Sequence, residues 1–272
     1  VQEGTEIKYL ERYSLAENEN EFWQASANVA KLVAEHEERL TQFLLRIMLH
    51  AAPLNEPKDV AWFLASYARD ARIRIEQLNL PALEDVKKAL EEALGISFAG
   101  KKGDHFFRST LIQTLFYGIF SSWVLYNKDN SADPKKFDWR LAGWYLKVPI
   151  IKALFDRIAN PTHLGKLGLV EVLDWTSNVL NRIVKETFFE KFEESEAVLY
   201  FYEPFLNAFD SELRKEMGVW YTPQEVVSYM VEKVDILLRQ ELNIPRGLAD
   251  ENVFVLDPAC GTGAYLVEVI KR

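Results

Sequence analysis

Cysteine is nearly absent: Cys260 is the single one in 272 residues, so no internal disulfide can form and an apolar core has to hold the fold. The four histidines, His36, His50, His105 and His163, are scattered, with no cysteine or paired acid at ligand spacing, and a metal centre is not expected. Positive charge is short as well. Lys and Arg number 32 against 41 Asp and Glu, a net charge of −9, which disfavours a surface whose main work is gripping nucleic-acid phosphates. No G-x-S-x-G turn and no Ser-His-Asp grouping is visible, so acyl-transfer hydrolysis has no support. A signal peptide and a charge-free apolar run of spanning length are both missing; no membrane partner is expected, and a cytoplasmic location is the default. Repeats at a fixed period are not evident, which argues against a solenoid.

What is plentiful is apolar surface. Hydrophobic residues make up 49% and aromatics 13%, enough for a sizeable core, and the length fits two domains. Residues 15–210 read as almost wholly helical. Between Glu21 and His50, Phe22, Trp23, Val29, Leu32, Val33, Leu40, Phe43, Leu44 and Met48 recur at steps of three and four, the pattern of core-facing stripes. After Pro53 and Pro57 the pattern repeats from Asp59 to Leu78 through Val60, Phe63, Leu64, Tyr67, Ala71 and Ile75. A charged amphipathic helix is expected over 82–94, closed by Gly95. Gly100 to Asp104 reads as a break. The unusually apolar stretch from Phe106 to Tyr126 carries Arg108, Gln113, Ser and Thr, which marks a central bundle helix rather than a membrane span. Lys101, Lys102, His105 and Arg108 read as a solvated helix start, with a phosphate contact as the alternative. A polar linker is expected over 127–136, then helix over 137–158 kinked or split at Pro149, and further helices over 164–189 and 194–209. The last of these is dense in aromatics (Tyr200, Phe201, Tyr202, Phe205, Phe209), and its stripe is taken to pack against the domain that follows.

The final twenty residues carry the chemistry. Val253-Phe-Val-Leu256 suits a strand covered on both faces, as in a parallel sheet. Asp257 ends it, Pro258 forbids further ladder pairing, Gly261 and Gly263 permit a tight turn, and Leu266, Val267 and Ile270 resume at helical spacing. Strand, glycine turn and helix follow in order, which in an open α/β sheet brings helix amides and a strand-end carboxylate to a ligand; an ordinary βα connection would look similar. Leu266 stands where a dinucleotide fingerprint needs its third glycine, so a nicotinamide or flavin cofactor is disfavoured. Upstream, Thr222-Pro-Gln-Glu225 reads as a helix start, with Thr222 as N-cap, Pro223 at the first helical position and Glu225 completing a capping box.

Asp257-Pro-Ala-Cys-Gly-Thr-Gly263 resembles the motif (D/E/N)PxxGxG that binds S-adenosylmethionine in adenine-N6 DNA methyltransferases. Gly218-Val-Trp-Tyr221-Thr-Pro223 resembles the Y-T-P segment that precedes it in those enzymes, in the same order and at the usual distance. The resemblance covers roughly the last seventy residues. It implies that Tyr221, Thr222 and Pro223 lie at the methionine end of the cofactor, that Asp257 orients bound water or the amino group, and that Pro258, Ala259, Cys260, Gly261 and Gly263 present backbone to the ligand; Cys260 falls at a variable motif position and carries no thiol chemistry. Family members hold the target amine with a (D/N)PP(Y/F) loop. That string is absent from these residues, so no catalytic residue is assigned, and the isolated chain is expected to bind cofactor weakly and to methylate nothing.

The helical part, with Phe106-Phe-Arg-Ser-Thr-Leu-Ile-Gln-Thr-Leu-Phe-Tyr-Gly118, looks like the region before the methylase in type ISP-like restriction-modification proteins. The resemblance implies a mainly α chain: a helical coupler or scaffold over 1–210, then, over 211–272, the first strand-turn-helix of a Rossmann-like methyltransferase domain, both ends looking cut. Double-stranded DNA would be met through the full-length protein, which in that family can include a nuclease or helicase portion. A non-catalytic helical interaction module, or a methyltransferase acting on RNA or protein, stands as the alternative.

Overall fold

The computed structural model describes residues 2–3, 6–7, 11–16, 18–50, 52–76, 81–129, 136–147, 149–159, 161–192, 201–210, 222–260 and 263–272. Among them the chain is mainly helical. The only strands there are the two-residue antiparallel pair β1 (Gln2–Glu3) and β2 (Glu6–Ile7).

Five long helices open the bundle: α1 (Glu19–Ser26), α2 (Val29–Met48), α3 (Pro57–Glu76), α4 (Pro81–Leu94) and α5 (Gly100–Asp129). The centre is α5. Its residues Phe107, Leu111, Ile112, Leu115, Phe116, Ile119, Phe120 and Trp123 are all buried and form one broad apolar face, while Thr110, Gln113, Thr114, Tyr117 and Ser121 on the remaining side are half-buried, the pattern of a helix with neighbours on most sides. Its start corrects the expected break at Gly100 to Asp104. Gly100, at φ +70°, opens the helix, and Gly103 lies within it, where a Cβ would stand 2.4 Å from the carbonyl carbon of Phe98. The helix also runs past Tyr126 to Asp129, leaving 130–135 of the expected linker outside the described residues. On α3 the six apolar residues of the sequence pattern, from Val60 to Ile75, are all buried.

Most of the stripe of α2 faces away from the core, against the expectation; of its residues only Leu32 and Phe43 are half-buried. Val29, Val33, Leu40, Leu44, Ile47 and Met48 are exposed, and the one buried residue of the helix is Arg46. Pairs to polar partners turn the charged side inward: Arg46 Nε lies 3.0 Å from Glu11 and its guanidinium 2.7 Å from Ser66 Oγ, while Arg39 Nε lies 3.1 Å from Asp70 on α3. Tyr67 donates to the same Glu11, burial and that charge pushing its phenol well above the ordinary range. The periodic stretch from Glu21 to His50 forms two helices that meet at Asn28, whose side chain caps α2 by accepting the Lys31 amide at 3.1 Å.

After residue 136 come a 3₁₀ turn (Trp139–Leu141) and the helices α6 (Ala142–Tyr145), α7 (Pro149–Ile158), α8 (Pro161–Lys166), α9 (Val170–Leu180) and α10 (Lys185–Lys191). Pro149 begins α7, a position that needs no amide donor. Gly118 lets α7 approach, since a Cβ there would meet the Phe155 ring at 2.6 Å.

The aromatic segment corrects another expectation. In α11 (Glu203–Phe209), Phe205 and Phe209 follow Phe201 in one stacked row, and all three are buried within the bundle. Phe201 stacks on Phe120 of α5 with ring centroids 3.5 Å apart, and Arg72 of α3 lies over Phe209. The row is therefore bundle core. Asp210, just past α11, is buried and accepts from Arg72 and Ser109, both at 2.8 Å, with His105 Nε2 at 3.1 Å. Arg108 is likewise engaged, by Asp104 at 2.8 Å and by the Ile75 carbonyl, while Lys101 and Lys102 are exposed at the helix start. The described residues end in α12 (Gln224–Gln240), a 3₁₀ turn (Gly247–Ala249) and α13 (Ala264–Lys271).

Candidate functional site

Helix α12 starts one residue later than its capping pattern predicts. Pro223 is the N-cap, at φ −53° and ψ 139°, with no side-chain cap bond, so the capping box of Thr222 and Glu225 does not form. A proline has no amide to donate at the N-cap, and its carbonyl closes the first turn by accepting from Val226 at 3.0 Å and Val227 at 3.1 Å. Thr222 stands just before it; both it and Pro223 are exposed. Val227, Val231 and Asp235 are the buried row of the helix. Asn243, left-handed at φ 54°, follows its end, a conformation asparagine tolerates better than most residues.

Asp235 closes the loop that follows. Its Oδ1 accepts the Leu248 amide at 2.9 Å, and its Oδ2 accepts Arg239 Nε at 3.0 Å. Arg239 then donates to the carbonyls of Pro245 and Arg246 at 2.9 and 3.3 Å. The Leu248 bond first, and Arg239 second, hold the Asp235 carboxyl below the usual carboxylate range. Nothing in the motifs singled this acid out. A signal existed, however: Asp235 stands eight residues after Val227 and four after Val231, where the apolar row calls for another aliphatic side chain.

The strand expected over Val253 to Leu256 does not form among the described residues. The stretch has no regular structure; Phe254 is 92% exposed and Leu256 86%. A strand needs a neighbour to share its amides and carbonyls, and no described segment pairs with this one. Asp257 is half-buried, and its Oδ1 accepts the Ala259 amide at 3.1 Å, an Asx turn that reverses the chain at Pro258. Pro258, Ala259 and Cys260 are exposed. The Cys260 carbonyl accepts the Gly263 amide at 2.6 Å. Gly263 caps α13 at φ 80° and ψ 20°, with no atom within 4 Å of where a Cβ would stand; its conformation, rather than crowding, calls for glycine. Tyr221 and Gly261 lie outside the described residues.

Helix α13 lies against α12. Gln224 Nε2 donates to Glu268 at 2.9 Å, the Tyr265 hydroxyl to Met230 Sδ at 3.2 Å, and Arg272 faces Glu232 at 3.4 Å. The start of α12, with Thr222 and Pro223 beside it, is thus tied to a residue five places after Gly263, about 8 Å along the axis of α13. Between the two helices and the 253–258 stretch runs a groove of about 440 Å³, within the range of ligand pockets. Met230, Val231, Val234, Leu266 and Val269 are among its walls, Asp257 is its one charged lining residue, and Pro258 lies beside it; Thr222, Pro223, Ala259, Cys260 and Gly263 do not line it. Among the described residues Asp257 makes no ion pair. A second cleft, of about 450 Å³ beside Trp139 and the exposed Trp144, has its cations matched: Arg140 with Asp138 and Asp174, and Lys152 with Asp156.

No group of three or more His, Cys, Asp or Glu among the described residues has the arrangement to hold a metal ion. No described helix is long and apolar enough to cross a membrane. Residues 194–272 match the family model described as N-6 DNA Methylase, which supports an adenine-N6 methyltransferase family and points to DNA adenine methylation in general. No match is found among curated proteins or among solved structures.

Proposed function

We propose that this chain carries the S-adenosylmethionine-binding part of a site-specific DNA methyltransferase that modifies adenine N6 in a restriction-modification system. One observation carries the reading: Asp257-Pro-Ala-Cys-Gly-Thr-Gly263 leads through a left-handed glycine into a helix, inside the stretch that matches the N-6 DNA Methylase family. The local geometry supports it on two counts. Gly263 has open space on the side where any other residue would carry a Cβ, which allows close approach to backbone, and Asp257 keeps its second carboxylate oxygen for a partner outside its own turn. Tyr221, Thr222, Pro223, Asp257, Pro258, Ala259, Cys260, Gly261 and Gly263 are the residues that would hold the cofactor.

When bound, S-adenosylmethionine supplies an electrophilic methyl on its sulfonium. The chain's own contribution is to bind and orient. Asp257 accepts hydrogen bonds from the ligand or its water, the first-turn amides of α13 face it with partial positive charge, and the apolar groove keeps water from one side. In this reading Val253–Leu256 is the first strand of a Rossmann-like sheet, and its exposed Phe254 and Leu256 await the rest of that sheet. Without a (D/N)PP(Y/F) string, holding the adenine amine falls to residues beyond these. Residues before about 210 serve as a coupler or scaffold toward a nuclease or helicase portion, and double-stranded DNA is gripped elsewhere in the protein. Isothermal titration of S-adenosylmethionine into the protein, with and without Asp257→Ala, tests the cofactor role. Heat of binding that the substitution removes is the expected result; a parent protein that gives no heat refutes the reading.

A further inference from the structure

Asp235 is a buried carboxylate in a position that packing alone would give to an aliphatic residue, third in the row after Val227 and Val231. A buried charge is unfavourable unless its lone pairs are used, and here they are used by separate parts of the chain. Oδ1 accepts the amide of Leu248, which opens the stretch leading to the glycine turn. Oδ2 accepts Arg239 and faces Nε of Arg272, just past α13, at 3.5 Å. Leu248 and Arg272 are the two ends of the segment that contains Asp257, the turn and Gly263, so both ends are fastened to one carboxylate. The backbone is shaped to admit it: Gly247 is left-handed at φ 57°, and a Cβ there would lie 2.0 Å from Asp235 Oδ1. Asp235 is not among the groove-lining residues, so its influence on a ligand passes through the segment it holds.

We propose that Asp235 is a positioning residue for the cofactor site, its carboxylate closing residues 248–272 into a loop and thereby setting where Asp257 and Gly263 stand relative to the start of α12. This rests on the S-adenosylmethionine role proposed above. The test is isothermal titration of S-adenosylmethionine into the parent protein and into Asp235→Asn, Arg272→Ala and, as a control, Asp210→Asn, with melting temperatures recorded alongside. Asp235→Asn keeps an oxygen for the Leu248 amide but loses the charge that both arginines face. Asp210 is an equally buried acid, but its described partners Arg72, Ser109 and His105 all lie in the bundle. The expected result is affinity about tenfold weaker in Asp235→Asn and Arg272→Ala, the order of loss when an outer partner of a binding site is removed, partial recovery in Arg272→Lys, and parent affinity in Asp210→Asn even though its melting temperature falls. Should Asp235→Asn fail to fold, the exposed Arg272 decides by itself. Parent affinity in both clasp variants overturns the proposal and leaves the cofactor reading standing; a parent protein that takes up no S-adenosylmethionine overturns both.

Discussion

Gly247 has neither the room nor the backbone angle for a side chain. Its Cβ would lie 2.0 Å from Asp235 Oδ1 and 2.7 Å from Arg239 Nε, at φ 57°. Gly247→Ala is therefore expected to destabilise the α12 to α13 unit by about 2–3 kcal/mol, since left-handed strain alone costs about 1 kcal/mol or more; denaturant unfolding followed by circular dichroism checks it. Asp235 itself sets a pH dependence. Its folded pKa lies below the unfolded value of about 3.9, so the stabilisation is complete above that value and is lost as the pH falls through the folded pKa. Between pH 7 and 5 this carboxylate leaves stability unchanged. Below about pH 4 stability declines, and Asp235→Asn is expected to make that acid limb shallower in a series of unfolding curves. At this scale the sequence showed the special turn residues around Gly263 well, because a glycine-rich string announces itself. It showed Asp235 poorly, because the partners of a buried acid are invisible until the chain has turned back on itself.

Helices α2 and α5 show how one periodicity leads to opposite outcomes. Both were read as core-facing. For α5 that holds, and Phe120→Ala, which removes a ring packed on Trp123, Phe188, Phe192 and Phe201, is expected to cost about 3–5 kcal/mol. For α2 most of the apolar row is outside, so Leu44→Ser, at a side chain 50% exposed, is expected to change stability by less than about 0.5 kcal/mol. Arg46→Ala leaves the half-buried Glu11 without its ion pair and Ser66 without its donor, a loss of about 2–3 kcal/mol, below the range for a fully buried pair. Comparing Leu44→Ser and Arg46→Ala by chemical denaturation separates the two descriptions of α2: a core stripe would reverse their order. A hydrophobic stripe in sequence identifies an amphipathic helix but not which side meets the core. On α2 the choice was made by Asp70 and Ser66 on α3 and Glu11 on the preceding segment, whose ion pairs and hydrogen bonds draw the arginine side inward.

Over the whole molecule, the described residues form a helical bundle around α5 and a smaller C-terminal unit whose α13 packs on α12. Side-chain hydrogen bonds and ion pairs between described residues of that unit close within it, from Gln224–Glu268 to Arg272–Asp235. Its Val253–Leu256 stretch lacks a pairing partner, so in hydrogen exchange the amides of Phe254, Val255 and Leu256 are expected to exchange orders of magnitude faster than those of α5; strong protection there would mean that a sheet has formed around them. The sequence by itself determined that the chain is mainly helical, that the Phe106 to Tyr126 stretch lies at the centre, and that a glycine turn leads into a helix beside an aspartate, because periodicity, turn chemistry and glycine backbone freedom are local properties. Only the tertiary structure decided which side of α2 is inward, that the Phe201, Phe205 and Phe209 row belongs to the bundle, and that one carboxylate fastens both ends of the turn-bearing segment. Each of those depends on which distant residues meet, and that is settled by competition among faces for a finite core.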